Sequence, residues 1–379
     1  MRVLITGGTG TISSGLVKES VGRGYETYAI TRGTNDSRNI EGANYVHMDI
    51  WDEEQVRALL KNQNFDVVVE CLAYNLEQLK ISLNNFSDKC CQYVFISTAG
   101  IYNRSNTRIK ENDLKNFNAW SYTREKIECE EYLMDFSQKK GLKYTIIRPT
   151  VTYGDYRIPF PIATRNPGWT FFDRMKRGQL MLASDNVAYS IIHISDFSKM
   201  VVSLFCNDKA TNEDFHISSN SNDIFWDDVI KEAGFILGIE PQIIHVSSEV
   251  IKKIWPMIYD EIAYNKNLSL ILDDTKIKWA TNVSAQIDLH NGINNIVNAM
   301  RTEYEADNLT LDNIWNDYCN ATIYYAYTKG NLSDEDNKKV QEYIKNEGID
   351  NLKKAYGSVI KYNLKRMGSS IKSKIFKYI

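Results

Sequence analysis

No run of apolar residues in this chain of 379 is long enough to cross a bilayer. Cysteine is sparse: Cys71, Cys90, Cys91, Cys129, Cys206 and Cys319 include no C-x-x-C pair and no grouping with histidine at zinc spacing. The six read as reduced thiols of a cytoplasmic protein, with no metal site. Charge of one sign is lacking as well. Lys and Arg number 45 against 48 Asp and Glu, a net charge of −3, so nothing global argues for nucleic acid. The N-terminus has one basic residue, Arg2, and then a short apolar strand running into glycines, which is neither a signal peptide nor a span. Internal repeats and low-complexity linkers are absent too. What is present is 43% hydrophobic and 25% charged, ordinary for a globular protein. The length suits one large α/β domain with additions, or two domains, and a core of that size needs no disulfide or metal.

Apolar runs recur with helical segments between them. Arg2–Thr6, Thr27–Thr31, Tyr45–Asp49, Asp66–Glu70, Tyr93–Ser97 and Tyr144–Arg148 read as strands, and about Glu53 to Lys61 as a helix. This rhythm predicts a Rossmann-type doubly wound parallel sheet. After Pro149 the rhythm changes, and Pro159, Pro161 and Pro167 mark a loop leaving the sheet. Ser190–Ile194 reads as a return strand and Asp196–Phe205 as a helix. The expected division is a dinucleotide-binding domain over 1–160, with 188–210 returning to it. A smaller substrate lobe over 161–187 and 211–300 and a helical extension over 301–379 complete it. Ser333, three residues before Asp336, is placed to cap a helix in that extension.

Thr6-Gly7-Gly8-Thr9-Gly10 follows a strand and opens a helix, the context of a dinucleotide phosphate turn. Gly7 permits the tight turn, Gly10 lets backbone approach a pyrophosphate, and the helix N-terminus supplies amides and dipole. The usual third glycine is Ser13, small enough for close helix–strand packing. At the end of the second strand stands Thr31-Arg32, where a carboxylate would select NAD by its ribose. An arginine there pairs with a 2′-phosphate, which favours NADP and leaves NAD open. Asp49-Ile50 is placed to cover the adenine.

Tyr122 and Lys126 lie four residues apart in a helical segment, Ser121 to Phe136, and so project from one face. An ammonium beside a phenol favours phenolate and makes tyrosine a usable base near neutral pH. The hydroxyls of Ser97-Thr98 stand at the carboxyl end of the fifth strand, where ligands bind in this architecture.

With these pieces the chain resembles the extended short-chain dehydrogenase/reductases, the NAD(P)-dependent epimerase/dehydratases. The resemblance is carried by the glycine turn, Asp49-Ile50, Cys71-Leu72-Ala73-Tyr74, Ser97 through Tyr102, Tyr122 with Lys126, Arg148-Pro149 through Tyr153-Gly154, and His193 through Asp196. It covers residues 1 to about 200 and lapses beyond about 300. It implies Thr98, Tyr122 and Lys126 as the catalytic set, with Thr98 rather than Ser97 as the hydroxyl donor. It implies a dinucleotide held by Gly7, Gly10, Thr11, Ile12, Thr31, Arg32, Asp49 and Ile50. Leu72, Ala73, Tyr74, Tyr122, Lys126 and Pro149 would flank the nicotinamide half. A nucleotide-sugar substrate, hydride transfer at a sugar carbon (C4 in most members) and a homodimer follow from the same resemblance.

Two departures narrow this. Ala99-Gly100 stands where 4,6-dehydratases carry an acidic pair and decarboxylases a glutamate, so epimerisation or a keto/alcohol redox step remains. Tyr189 stands where many members carry an arginine for the nucleotide diphosphate. That duty would pass to Arg165, Arg174, Lys176 or Arg177, which equally fit a solvated face, and Thr98, Tyr122 and Tyr189 would line the rest of the substrate site. A reductase for a non-sugar substrate stays open. So does a dinucleotide-sensing or RNA-associated member, although the intact Tyr122/Lys126 pair and the negative net charge speak against it. His193 and Asp196 read as structural, Glu111 and Asp113 as solvated loop carboxylates rather than metal ligands, and Trp169, Phe171 and Phe172 as core or as the wall of a base or sugar pocket. Residues 352–379 carry eight basic and no acidic side chains, with apolar residues at near-helical spacing. That is a helix docked on the body or a partner subunit, or one making weak contact with an anionic membrane surface.

Overall fold

In a computed structural model of the protein, the described residues are 1–34, 39–104, 108–116, 119–154, 157–162, 169–219, 223–305 and 311–375, with side chains described as far as 366. They fall into two compact units, one of 1–154, 188–224 and 269–288, the other of 155–187, 225–268 and 289–379.

The first unit is built on a seven-stranded sheet. Its strands are β1 (Arg2–Thr6), β2 (Glu26–Thr31), β3 (Asn44–His47), β4 (Phe65–Glu70), β5 (Cys90–Ile96), β6 (Tyr144–Pro149) and the strand Glu213–Ile217. From one edge the order is Glu213–Ile217, β6, β5, β4, β1, β2, β3, parallel throughout. The continuous apolar runs of β1 and β4 are explained by burial on both faces. Val3, Ile5, Val67 and Val69 pack under Leu16 and Val17 of α1 (Thr11–Gly22) and under Phe197 and Met200 of the helix Ile194–Val202. Leu4, Val68 and Phe95 pack on the other face under Leu79 and Leu83 of α3 (Leu76–Phe86) and Leu133 of α4 (Ser121–Lys140). Between α1 and α3 in sequence lies α2 (Glu53–Leu60), capped by Asp52. The chain starts at β1, runs outward to β3 and resumes at β4 on the other side. The crevice at the carboxyl ends of β1 and β4 is therefore the topological switch point where this architecture binds ligands.

Three expectations shift. β3 ends at His47, short of Met48-Asp49. The return strand is Ala188–His193, and Ile194 already belongs to the following helix. That strand pairs with β7 (Val151–Tyr153) in a small sheet of its own. The strand that completes the main sheet is Glu213–Ile217, within residues expected to belong to the substrate lobe. Its alternation is hidden in sequence because Asp214 and His216 are drawn into a buried polar cluster beside β6.

In the second unit Met181–Ala183 pairs in parallel with Ile243–His245. Three helices form the C-terminal region: Asn313–Thr328, Asp334–Glu347 and Asp350–Ile375. Ser333 caps the second, its hydroxyl accepting the Asp336 amide at 3.1 Å. The last docks through buried Leu352, Ala355 and Val359, with the Tyr356 ring 5.3 Å from that of Tyr324 and the Tyr318 hydroxyl 2.7 Å from Asn363. The apolar residues expected to continue its face from Met367 onward lie outside the described side chains. No helix among the described residues is long and apolar enough to cross a membrane. All six cysteines are free thiols.

Candidate active site

The glycine turn is enforced by its surroundings. Gly7 and Gly8 have φ of 91° and 124°, in the region that favours glycine. A Cβ on Gly8 would lie 2.9 Å from the Ala29 Cβ and 3.2 Å from the Thr31 methyl. Gly10 differs: its φ is −80°, and its Cβ position meets nothing nearer than the Ser13 hydroxyl at 3.4 Å. Gly10 offers α1 no side-chain cap, and the first turn holds no acidic residue. The first-turn amides at Thr11 and Ile12 thus suit a phosphate.

Ser13 is buried and has a further role besides its small size. Its hydroxyl accepts the amides of Gly8 at 2.9 Å and Gly10 at 3.2 Å, and so closes the turn from within. Close packing of helix on helix falls to Gly15, where a Cβ would come within 2.4 Å of Ile194 and 2.6 Å of the Ser198 hydroxyl. A glycine inside a helix, costing about 1 kcal/mol against alanine, was the available signal. Gly15→Val is expected to lower stability by about 1–3 kcal/mol through overpacking, read by denaturant unfolding.

At the adenosine end, Thr31 is buried and its hydroxyl accepts the Gly33 amide at 3.3 Å. Arg32 beside it is exposed. A Cβ on Gly33 would touch the His47 ring at 3.0 Å. Asp49 is exposed and accepts the Trp51 amide at 3.0 Å, while Ile50 is buried beneath it. This end can hold a ribose and an adenine, with a cation at its rim.

Lys126 is buried, and its Nζ donates to the carbonyls of Ala73 and Ile96, both at 2.8 Å. It therefore sits across the carboxyl ends of β4 and β5. Tyr122, one turn earlier on α4, is half-buried, its ring 4.9 Å from Trp120 and 6.4 Å from exposed Tyr74. The Tyr74 ring is in turn 5.3 Å from the Lys126 Nζ. The Thr98 hydroxyl accepts the Gly100 amide at 3.1 Å. A Cβ on Gly100 would stand 3.2 Å from both that hydroxyl and the methyl of Thr123, so Thr98 and the first turn of α4 flank one glycine. Leu72 reaches within 3.5 Å of the Cβ position of Gly7, which joins this loop to the phosphate turn. Pro149 is buried at the end of β6.

Burial pushes the Lys126 pKa down from 10.5 to about 8. A lysine that serves as ammonium serves below that value, so activity is expected to fall as pH rises through about 8. The unfolded chain holds this proton to higher pH, so this group makes stability rise over the same window. Loss of turnover in a protein that remains folded at pH 9 checks the assignment.

Ser97, Thr98's neighbour, is committed elsewhere: its hydroxyl donates to Glu130 at 2.6 Å in a buried cluster. Arg148, fully buried, pairs with both oxygens of Glu130 at 2.9 and 2.7 Å and with Asp214 at 2.5 Å, and donates to the Tyr102 hydroxyl. Glu111 is no solvated loop carboxylate. It is buried and accepts the His216 amide at 3.0 Å, whereas Asp113 is exposed as expected. His193 accepts the Ser195 amide and Asp196 the amides of Gln286 and Ile287, structural roles for both. The described residues contain no group of side chains fit to hold a metal.

The described members of the expected diphosphate set, Arg174, Lys176 and Arg177, each have partners of their own. Arg174 is buried in the second unit, donating to the Leu180 carbonyl at 2.9 Å and to Gln179, Asn316 and Asn320 at 3.3, 3.2 and 2.8 Å. Its guanidinium is consumed in holding helices together, which corrects its assignment to substrate. Lys176 lies 5.5 Å over the Trp169 ring and Arg177 pairs with Asp173 at 2.8 Å. Arg165 falls outside the described residues. Tyr189 is buried and hydrogen-bonded to the side chain of Arg104, a residue that sequence reading passed over for want of any motif around it. Trp169, Phe171 and Phe172 are core, Trp169 stacking on Tyr304 at 5.2 Å.

Known proteins resemble this chain in sequence family and in fold. The model of the NAD dependent epimerase/dehydratase family matches residues 3–218. A curated relative, the chloroplastic divinyl chlorophyllide a 8-vinyl-reductase of Arabidopsis thaliana, is 28% identical over 181 residues, 40% of each chain. The match thus spans well under half of that relative's length. Among solved structures, UDP-glucose 4-epimerase of Thermotoga maritima with UDP-glucose has a TM-score of 0.65 at 20% identity, covering 80% of this chain and 100% of that one. The dTDP-glucose 4,6-dehydratase of Bacillus anthracis in complex with NAD has a TM-score of 0.67 at 16% identity, covering 80% and 98%. At those identities the structures show a shared fold.

Proposed function

The chain belongs to the NAD-dependent epimerase/dehydratase family, and from that premise we propose that it moves a hydride at a hydroxyl-bearing or keto carbon of a nucleotide sugar, as a 4-epimerase or 4-ketoreductase. The observation that carries this reading is Lys126 seated across the ends of β4 and β5, one helical turn from Tyr122 on a helix whose first turn shares Gly100 with Thr98. The dinucleotide, when bound, supplies the hydride chemistry. Tyr122 gives or takes the proton at the substrate oxygen, Lys126 favours its phenolate, and Thr98 holds the same oxygen. Ala99-Gly100 supplies no acid or base for elimination, which speaks against 4,6-dehydration. The purified protein is to be incubated with nucleotide sugars and 4-keto sugars while reduced nicotinamide absorbance and products are followed. Product without net cofactor change supports the epimerase, net oxidation or reduction the ketoreductase, and no product from any sugar contradicts both.

Exposed Arg32 supports NADP as the preferred dinucleotide. Arg32→Ala is expected to weaken NADPH binding about tenfold and NADH binding little, a loss of roughly 1.4 kcal/mol read by fluorescence titration. Equal loss for both would remove the preference.

A second reading, reduction of a non-sugar substrate, is favoured by the locked guanidinium of Arg174, by Tyr189 at the family's arginine position and by similarity to a vinyl reductase. It gains if dinucleotide binds and no sugar reacts.

A further inference from the structure

We propose that Glu70, at the end of β4, is the positioning residue that seats Lys126 and supplies its counter-charge. This rests on the reading of Lys126 and Tyr122 given above. Glu70 is fully buried, and a buried carboxylate is costly unless its oxygens are satisfied. Here they are: one oxygen accepts the Thr6 hydroxyl at 2.9 Å and the amides of Leu72 at 2.6 Å and Ala73 at 2.9 Å, and the other accepts the Ser82 hydroxyl. The Thr6 hydroxyl in turn accepts the Cys71 amide at 2.8 Å. Three successive amides, 71 to 73, are thereby pinned to the last residue of β1 and to Glu70. The Ala73 residue so held presents its carbonyl to Lys126 at 2.8 Å. The other seat, the Ile96 carbonyl, belongs to β5 and needs no such help.

Charge points the same way. From β4 and its loop Lys126 faces Glu70 and Cys71, and from its own helix Cys129 and Glu130. Burial raises both thiols, Cys71 strongly and Cys129 to about 12, so they are neutral. Glu130 is already engaged by Arg148 through both oxygens. The rings of Phe95 and Tyr74, 4.6 and 5.3 Å away, offer only their faces. Glu70 is the carboxylate left to balance the ammonium.

The test reads Lys126 itself. In the full-length protein labelled with 13C-lysine, the Lys126 side-chain resonance, assigned by its loss in Lys126→Arg, is titrated without substrate. The wild-type midpoint is expected near 8. Glu70→Gln, nearly isosteric, is expected to lower it by on the order of one unit. Ser82→Ala, which removes a hydrogen bond and keeps the charge, is expected to leave it in place. The alkaline limb of kcat/KM should move with the midpoint in Glu70→Gln. A folded Glu70→Gln protein with an unmoved Lys126 midpoint overturns the proposal, as does an equal shift in Ser82→Ala. If Glu70→Gln does not fold, Glu70→Asp, which withdraws the carboxylate by one carbon, is titrated instead, and an unmoved midpoint again overturns it. Because no substrate is needed, a wild-type protein inactive on every sugar would refute the functional reading and leave this result standing.

Discussion

Tyr122→Phe is expected to lower turnover by about 10²–10⁴-fold, the usual worth of a general acid or base, while dinucleotide affinity changes less than about twofold. The substitution removes one oxygen. The ring stays between Trp120 and Tyr74, at 4.9 and 6.4 Å, and Lys126 keeps both of its carbonyl seats. The phosphate turn lies on a different element and is untouched. Turnover and binding should therefore separate, with kcat collapsing and the Kd for the dinucleotide preserved. Normal turnover in this variant removes Tyr122 from the chemistry, and with it the reason for reading Lys126 as its partner.

Arg148→Met is expected to destabilise the first unit by about 3–5 kcal/mol, the cost of leaving a buried charge without its partner. The Arg148 side chain is fully buried and its Glu130 partner nearly so. Burial alone disfavours its charge, yet Glu130, Tyr102 and Asp214 together hold its proton affinity above the ordinary arginine value. Removing the guanidinium strands Glu130 with the Ser97 hydroxyl as its remaining hydrogen-bond donor among the described residues, and takes one donor from the Tyr102 hydroxyl, which keeps its own bond to the Glu111 carbonyl. Denaturant unfolding measures the loss. The double variant Arg148→Met/Glu130→Leu is expected to lose less than the sum of the two singles, since no charge is then stranded. Additive losses would mean that the two side chains stabilise independently. The pair also explains why Ser97, despite its place beside Thr98, is unavailable to substrate.

The legible parts of this fold share one property: their signal is local. β1 announces itself by an apolar run stopping at glycines, and Tyr122 and Lys126 by spacing on a helix. Ser333 was recognisable as a cap because capping acts over three residues. The misread parts are those whose meaning comes from distant residues. Gly15 looks like any helical glycine until Ile194 is packed on it. Glu213–Ile217 looks too polar for a buried strand until Arg148 and Glu111 receive its polar residues. Arg174 reads as a surface cation, because nothing nearby in sequence reveals that Asn316 and Asn320 will take its donors. Glu70 was read only as the end of a strand, since Thr6 and Ser82, its partners, lie 64 and 12 residues away. The proposed catalytic set therefore rests on local motifs, while the residues that hold it in place do not.

The central claim is that Tyr122 and Lys126 serve a hydride transfer. Rapid mixing of wild type and Tyr122→Phe, each saturated with dinucleotide, against the nucleotide-sugar and 4-keto-sugar panel tests it most directly. The account predicts a change in reduced nicotinamide absorbance with the wild type, transient for an epimerase and lasting for a ketoreductase, and none with Tyr122→Phe. The same change in both proteins would contradict it, and so would silence from a wild type shown to bind both dinucleotide and sugar.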